Sequence, residues 1–122
     1  MNILIVDDTL SNILIFRKIL EKRGFTVFEA RSAMEAFELI ENQTINIIFM
    51  DIDMPIMDGL KATMHIREKM QLKMPVIAYS AMERLFFEQR CMAAGMNDFL
   101  QKPVKLDELY SLLNKYSIAP NQ

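Results

Sequence analysis

Short runs of apolar residues alternate along this chain with longer stretches in which apolar positions recur every three or four residues. Ile3 to Val6 reads as a strand. Leu10 to Arg23 reads as a helix with Leu10, Ile13, Phe16 and Leu20 along one side, and Gly24 sits where a helix C-terminus wants it. Thr26 to Ala30 is a second strand, and Ser32-Ala33-Met34-Glu35 has the capping-box pattern that opens a helix running to about Asn42. The same alternation predicts a strand over Ile45 to Asp51 with a helix over Leu60 to Met70. It then predicts a strand over Pro75 to Ser80 with a helix over Arg84 to Ala94, closed by Gly95. Asp98 to Gln101 is the last strand and Leu106 to Tyr116 the last helix. Five strands, each followed by a helix, predict a parallel sheet covered on both faces, and the near-continuous apolar strands agree. Eight such units are needed to close a barrel, so the expected fold is an open, doubly wound α/β three-layer sandwich.

Composition narrows the function without naming it. The 122 residues are 52% AVILMFWYC and 25% charged, enough for one domain with a real core and too apolar for disorder. With no repeat or linker visible, one domain over 1–118 is expected, followed by a polar tail at 119–122. A net charge of -2 gives no basic footprint for nucleic acid. No apolar run is long enough to span a bilayer, and Met1-Asn2-Ile3 lacks the basic lead-in of a signal peptide. Cys91 is the single cysteine, so no internal disulfide can form, which fits a cytoplasmic protein. Most of the 11 methionines read as core filler.

The chemistry sits where the strands end, which in such sheets is where ligands bind. After the first strand come Asp7 and Asp8; the third ends in Asp51, with Asp53 just beyond. After the fourth comes Ser80, and after the fifth come Lys102 and Pro103. Any one of these is an ordinary strand exit. Together their types are complementary, because clustered carboxylates repel unless a cation neutralises them. Mg²⁺, with its preference for hard oxygen ligands, suits that role. A hydroxyl and an ammonium opposite are what an incoming phosphoryl group needs, and a carboxylate beside them can act as nucleophile. The set points to phosphoryl transfer onto an aspartate.

In these pieces the chain resembles a response-regulator receiver domain of two-component signalling: VDD at 6–8, MDIDMPIMDG at 50–59, AYSA at 78–81 and GMNDFLQKP at 95–103. The resemblance runs from Ile3 to about Tyr116, and the text over 50–67 is most similar to receivers of hybrid histidine kinases. It implies the flavodoxin-like (βα)5 fold with strand order 2-1-3-4-5. It also implies that Asp51 is the phosphoacceptor. Asp8, Asp51 and the backbone carbonyl of Asp53 would hold Mg²⁺ (or Mn²⁺), with Asp7 acting through water. Lys102 would pair with the phosphoryl group, before a cis Pro103, while Ser80 and Phe99 would form a switch. That switch would bias a surface made by the fourth helix, fifth strand and fifth helix. The implied partner is a histidine kinase or histidine phosphotransfer domain, with no nucleic acid and no membrane. The implied chemistry is self-modification followed by slow hydrolysis, and the chain shows no output module.

Two rival chemistries fit parts of this pattern. An apolar strand ending in D-x-D also resembles haloacid-dehalogenase-type phosphatases, which place that pair on their first strand and follow it with Thr or Val; here an acidic pair at 7–8 comes earlier, Pro55 follows, and there is no cap insertion. A flavodoxin-like cofactor binder would need a phosphate-cradling loop after the first strand, where Asp7-Asp8-Thr9 would repel phosphate. Of the remaining polar or reactive residues, His65 is expected to face solvent and Cys91 to pack in a stripe with Phe87 and Ala94. Leu85 and Phe86, with Phe99, are expected to form part of a partner or dimer surface. Asp58 and Gly59 read as the turn into the third helix, and Lys105 takes a place where a capping side chain would sharpen the last one.

Overall fold

The computed structural model describes residues 1–121, and its ten elements follow the predicted order. They are β1 (Asn2–Val6), α1 (Leu10–Lys22), β2 (Thr26–Ala30), α2 (Ala33–Asn42), β3 (Ile47–Asp51), α3 (Gly59–Glu68), β4 (Val76–Ser80), α4 (Arg84–Ala93), β5 (Asp98–Gln101) and α5 (Leu106–Lys115). All strand pairs are parallel and the order is β2-β1-β3-β4-β5. Successive strand residues point to opposite faces, and each face has its own helical layer. Ile3, Ile5, Phe49, Ile77 and Leu100 pack beneath Ile13, Phe16 and Leu20 of α1 and Leu109 and Leu113 of α5. Leu4, Val6, Ile48, Met50 and Ala78 pack beneath Ala36, Phe37 and Ile40 of α2, Ala62 and Ile66 of α3, and Cys91 of α4.

The register sets the heights of the strand ends. Val6 lies opposite Met50, Asp51 opposite Tyr79, and Ser80 opposite Gln101. Asp7, Asp51, Ser80 and Lys102 therefore reach the same edge of the sheet. The backbone fixes two of them further: the Asp7 N–H donates to Ala30 O at 3.0 Å and the Lys102 N–H to Ser80 O at 2.8 Å.

Several boundaries and placements differ from the sequence expectation. The third strand begins at Ile47 rather than Ile45: Ile45 is buried, but Asn46 instead pairs with Asn2, its N–H donating to Asn2 O and its Oδ1 accepting the Asn2 N–H at 2.7 Å. Leu10 is exposed, because as the first residue of α1 its side chain tilts back past the end of the sheet. His65 does not simply face solvent: it is half-buried, with its ring 4.3 Å from that of Phe37, so its apolar body covers the seam between α2 and α3. Cys91 is buried, as expected.

The helix caps follow the sequence closely. Ser32 accepts the Glu35 N–H at 3.2 Å, and the Glu35 carboxylate meets the Ser32 hydroxyl. Lys105 gives α5 no side-chain cap, and Asp107 and Glu108 in the first turn compensate the helix dipole instead. The described part of the expected tail is tied down: the N-terminal ammonium donates to Ala119 O and Asn121 Oδ1, and the Asn121 N–H donates to Gly24 O. Gln122 lies outside the described residues.

Candidate functional site

Asp51 is the last residue of β3 and is buried, an expensive place for a charge unless it is compensated. Its Oδ1 accepts the Asp53 N–H at 2.9 Å, and its Oδ2 lies 3.5 Å from Lys102 Nζ. Burial pushes the Asp51 carboxyl up to about 6, against the pull of the Asp53 N–H and of Lys102, and the neighbouring Asp7 adds to the rise. Asp7 is completely buried. Its Oδ1 accepts the Thr9 N–H at 2.9 Å, closing the turn into α1, and its Oδ2 accepts from Lys102 Nζ at 2.8 Å. One ammonium therefore sits between two buried carboxylates. Asp8, the least covered of the three acids, completes a group in which Asp7, Asp8 and Asp51 each offer an oxygen within 4.8 Å of the others. Three hard oxygen donors at that spacing fit a divalent cation of the Mg²⁺ kind.

The other expected site residues lie around this group. Ser80 is buried at the end of β4, its Oγ accepting the Met82 N–H at 3.0 Å. Asp53 is exposed, so its side chain is free while its backbone N–H holds Asp51. The Lys102–Pro103 peptide is cis. Leu85 and Phe86 are 84% and 69% exposed on the first turn of α4. Phe99 corrects the expectation that placed it on their surface: it is 4% exposed, because its position in β5 turns its ring into the layer beneath α2, α3 and α4.

The loop between Asp51 and α3 is held closely against the site. Asp58 caps α3 by accepting the Lys61 N–H at 2.9 Å. Gly59 does more than the expected turn: a Cβ there would lie 2.2 Å from Asp51 O and 2.9 Å from Ile52 Cα. Only glycine lets the start of α3 rest on the backbone of Asp51. Before it, Ile56 stands at φ 69° and the Met57 N–H donates to Pro55 O at 2.8 Å, a tight three-residue turn that a β-branched side chain rarely adopts.

Three contributions were not legible in the residue pattern. Asp7, at the end of β1, accepts directly from Lys102, which follows β5. Gly59 sets the approach of α3 to Asp51. The ring of Tyr79 lies 4.6 Å from Lys102 Nζ. The -DG- pair and the aromatic before Ser80 were visible as residues, but their neighbours come from other strands, and no spacing along the chain reports that.

The comparisons with known proteins agree with this geometry. A family model described as the response regulator receiver domain matches residues 3–114. Hybrid signal transduction histidine kinase B of Dictyostelium discoideum is 35% identical over 127 aligned residues, which cover 93% of this chain and 6% of that kinase. The chain thus spans a small fraction of that relative's length. Among solved structures, the receiver domain of the Pseudomonas aeruginosa sensor histidine kinase PA1611, with a magnesium ion coordinated in its active-site cleft, is 33% identical. It covers 94% of this chain and 95% of that one, with a TM-score of 0.83. The receiver domain of the Saccharomyces cerevisiae response regulator Ssk1, crystallised with the histidine phosphotransfer protein Ypd1, is 27% identical. The alignment covers 95% of this chain and 88% of that one, with a TM-score of 0.86.

Proposed function

The chain belongs to the response regulator receiver domain family of two-component and phosphorelay signalling, and from that premise we propose that Asp51 accepts a phosphoryl group from a phosphohistidine. The observation that carries this reading is the Lys102 ammonium held 2.8 Å from Asp7 and 3.5 Å from Asp51 at the carboxyl ends of the strands. With its carboxyl near 6, Asp51 is ionised at neutral pH and able to attack. An Asp51 oxygen bonds to phosphorus, the phosphorus–imidazole bond breaks, and the departing imidazole keeps the electron pair and takes a proton. Lys102 then turns from the carboxylates toward the new phosphoryl oxygens. Ser80, one residue past Tyr79 in β4, exchanges its bond with the Met82 N–H for one to the phosphoryl group, and Phe99 answers the space this leaves. Hydrolysis ends the modification: water attacks phosphorus, the acyl phosphate bond breaks, and carboxylate and inorganic phosphate are released.

Asp8, Asp51 and the backbone carbonyl of Asp53 would hold Mg²⁺ or Mn²⁺, with Asp7 acting through water. When bound, the cation neutralises the charge that gathers as phosphate meets carboxylate. The donor is a histidine kinase or a histidine phosphotransfer domain, by likeness to the Ssk1 receiver crystallised with Ypd1. The exposed Leu85 and Phe86 belong to the surface that responds to modification. The receiver unit spans 1–118 with 119–122 as its tail, acts in the cytoplasm, and turns over no substrate other than its own phosphoryl group. Among the described residues no helix is long and apolar enough to cross a membrane.

Incubation with a histidine phosphotransfer domain carrying labelled phosphohistidine tests this. The label moves to this chain when Mg²⁺ is present and stays on the donor when the cation is chelated. Transfer indifferent to chelation, or none from any phosphohistidine donor, overturns the reading.

A further inference from the structure

We infer that Tyr79 is a positioning residue for Lys102, the face of its ring holding the ammonium at the mouth of the site. The inference rests on the reading of Lys102 as the cation that meets the phosphoryl group. Tyr79 directly precedes Ser80, so its side chain points to the opposite face of the sheet, under α1. There its ring meets Phe16 at 4.9 Å in an edge arrangement, and Phe16 in turn meets Phe49 at 4.9 Å. The plane of the ring is thereby fixed by packing across α1, β3 and β4. Lys102 Nζ lies 4.6 Å from the ring centroid, within the range of a cation–π contact.

An aliphatic residue would fill this space as well, so burial alone does not ask for an aromatic. What the ring adds is its negative face toward an ammonium. Lys102 needs such a wall. Its stem is flexible, and it borders an open groove of about 500 Å³ also lined by Ile15, Phe16, Pro103 and Val104, into which the ammonium could otherwise swing. Asp7 and Asp51 also hold the ammonium, but they are partners it must partly release when a phosphoryl group arrives. The ring attracts the charge without neutralising it or occupying its hydrogen-bond donors. Lys102 is then kept beside Asp51 while remaining free to turn, which lowers the cost of ordering it in the transition state.

The test measures the rate of phosphorylation by acetyl phosphate with Mg²⁺, followed by intact mass. The proteins are the wild type, Tyr79→Leu, Tyr79→Phe, Lys102→Ala and the Lys102→Ala/Tyr79→Leu pair, each checked for folding by thermal melting at the assay temperature. Tyr79→Leu slows the reaction about fivefold, equivalent to about 1 kcal/mol of lost cation–π attraction. Tyr79→Phe keeps the ring and stays within about twofold of wild type, and the Leu change has no further effect once Lys102 is Ala. If Tyr79→Leu does not fold, Tyr79→Met, closer to it in shape, is held to the same outcomes. Equal rates for the Leu and Phe variants, or equal slowing by Leu with and without Lys102, overturn the inference while leaving Asp51 as acceptor. A wild type that takes no phosphoryl group overturns that underlying reading and the role of Tyr79 with it.

Discussion

Replacing Asp51 by Asn removes a buried charge while keeping the shape and the oxygen that accepts the Asp53 N–H. Lys102 retains its 2.8 Å contact to Asp7. The ordinary carboxyl value of 3.8 is raised to about 6 here, chiefly by burial. Such a group favours folding fully below about 4, and that contribution is lost as pH rises through about 6. At pH 7.5 without divalent cation, the ionised carboxylate therefore costs the fold about 3 kcal/mol, and at pH 5 about half as much. Asp51→Asn should recover these amounts. In a domain of this size that is a rise in melting temperature of roughly 10 °C at pH 7.5. Urea unfolding of both proteins in chelator, at pH 5 and pH 7.5, measures it. Adding Mg²⁺ should stabilise the wild type and leave the variant nearly unchanged, because the variant lacks one of the three carboxylates of the cluster. A variant no more stable than wild type at pH 7.5 would refute the reasoning, as would a gain of equal size at both pH values.

Three further changes probe the loop that follows β3. Gly59→Ala would drive a Cβ into the backbone of Asp51 and should cost about 3 kcal/mol in urea unfolding; it should also slow phosphorylation, and a variant of wild-type stability and rate would show that α3 does not rest there. Asp58→Ala removes the bond to the Lys61 N–H and should cost about 1 kcal/mol with phosphorylation little changed, as read from the same unfolding and labelling assays. Asp53→Asn should alter the lifetime of the phosphorylated state more than its formation. A carboxylate near the phosphoryl group is worth about 1 kcal/mol at close range, hence a change on the order of fivefold. Pulse labelling followed by decay measures both rates, and an unchanged decay would remove Asp53 from the reaction.

The fold was nearly all legible in the sequence because each local signal agreed with the others. Apolar runs ended at acids, Gly24 and Gly95 stood at helix ends, and Ser32 and Asp58 stood at helix starts. The errors have physical causes. Ile45 is buried without being paired in the sheet, since apolar character reports burial and not strand hydrogen bonding. His65 was expected to face solvent, yet its ring covers Phe37 from an adjacent helix. Phe99 faces inward because even the edge strand β5 is covered on both faces, Phe99 packing into one layer and Leu100 into the other. The site was legible as a set of residue types at strand ends, and the structure brings Asp7, Asp8, Asp51 and Lys102 together. Its internal order was not legible. Which acid holds the lysine, how near Gly59 comes to Asp51, and which ring faces the ammonium all depend on contacts between residues far apart in the chain.

The central claim is that Asp51 carries the phosphoryl group. Peptide mapping by mass spectrometry, after incubation with acetyl phosphate and Mg²⁺, tests it most directly. One added phosphoryl group is expected, found only on the peptide that contains Asp51 and missing from the Asp51→Asn variant. Phosphate on another residue of the wild type, or full labelling of the variant, would contradict it.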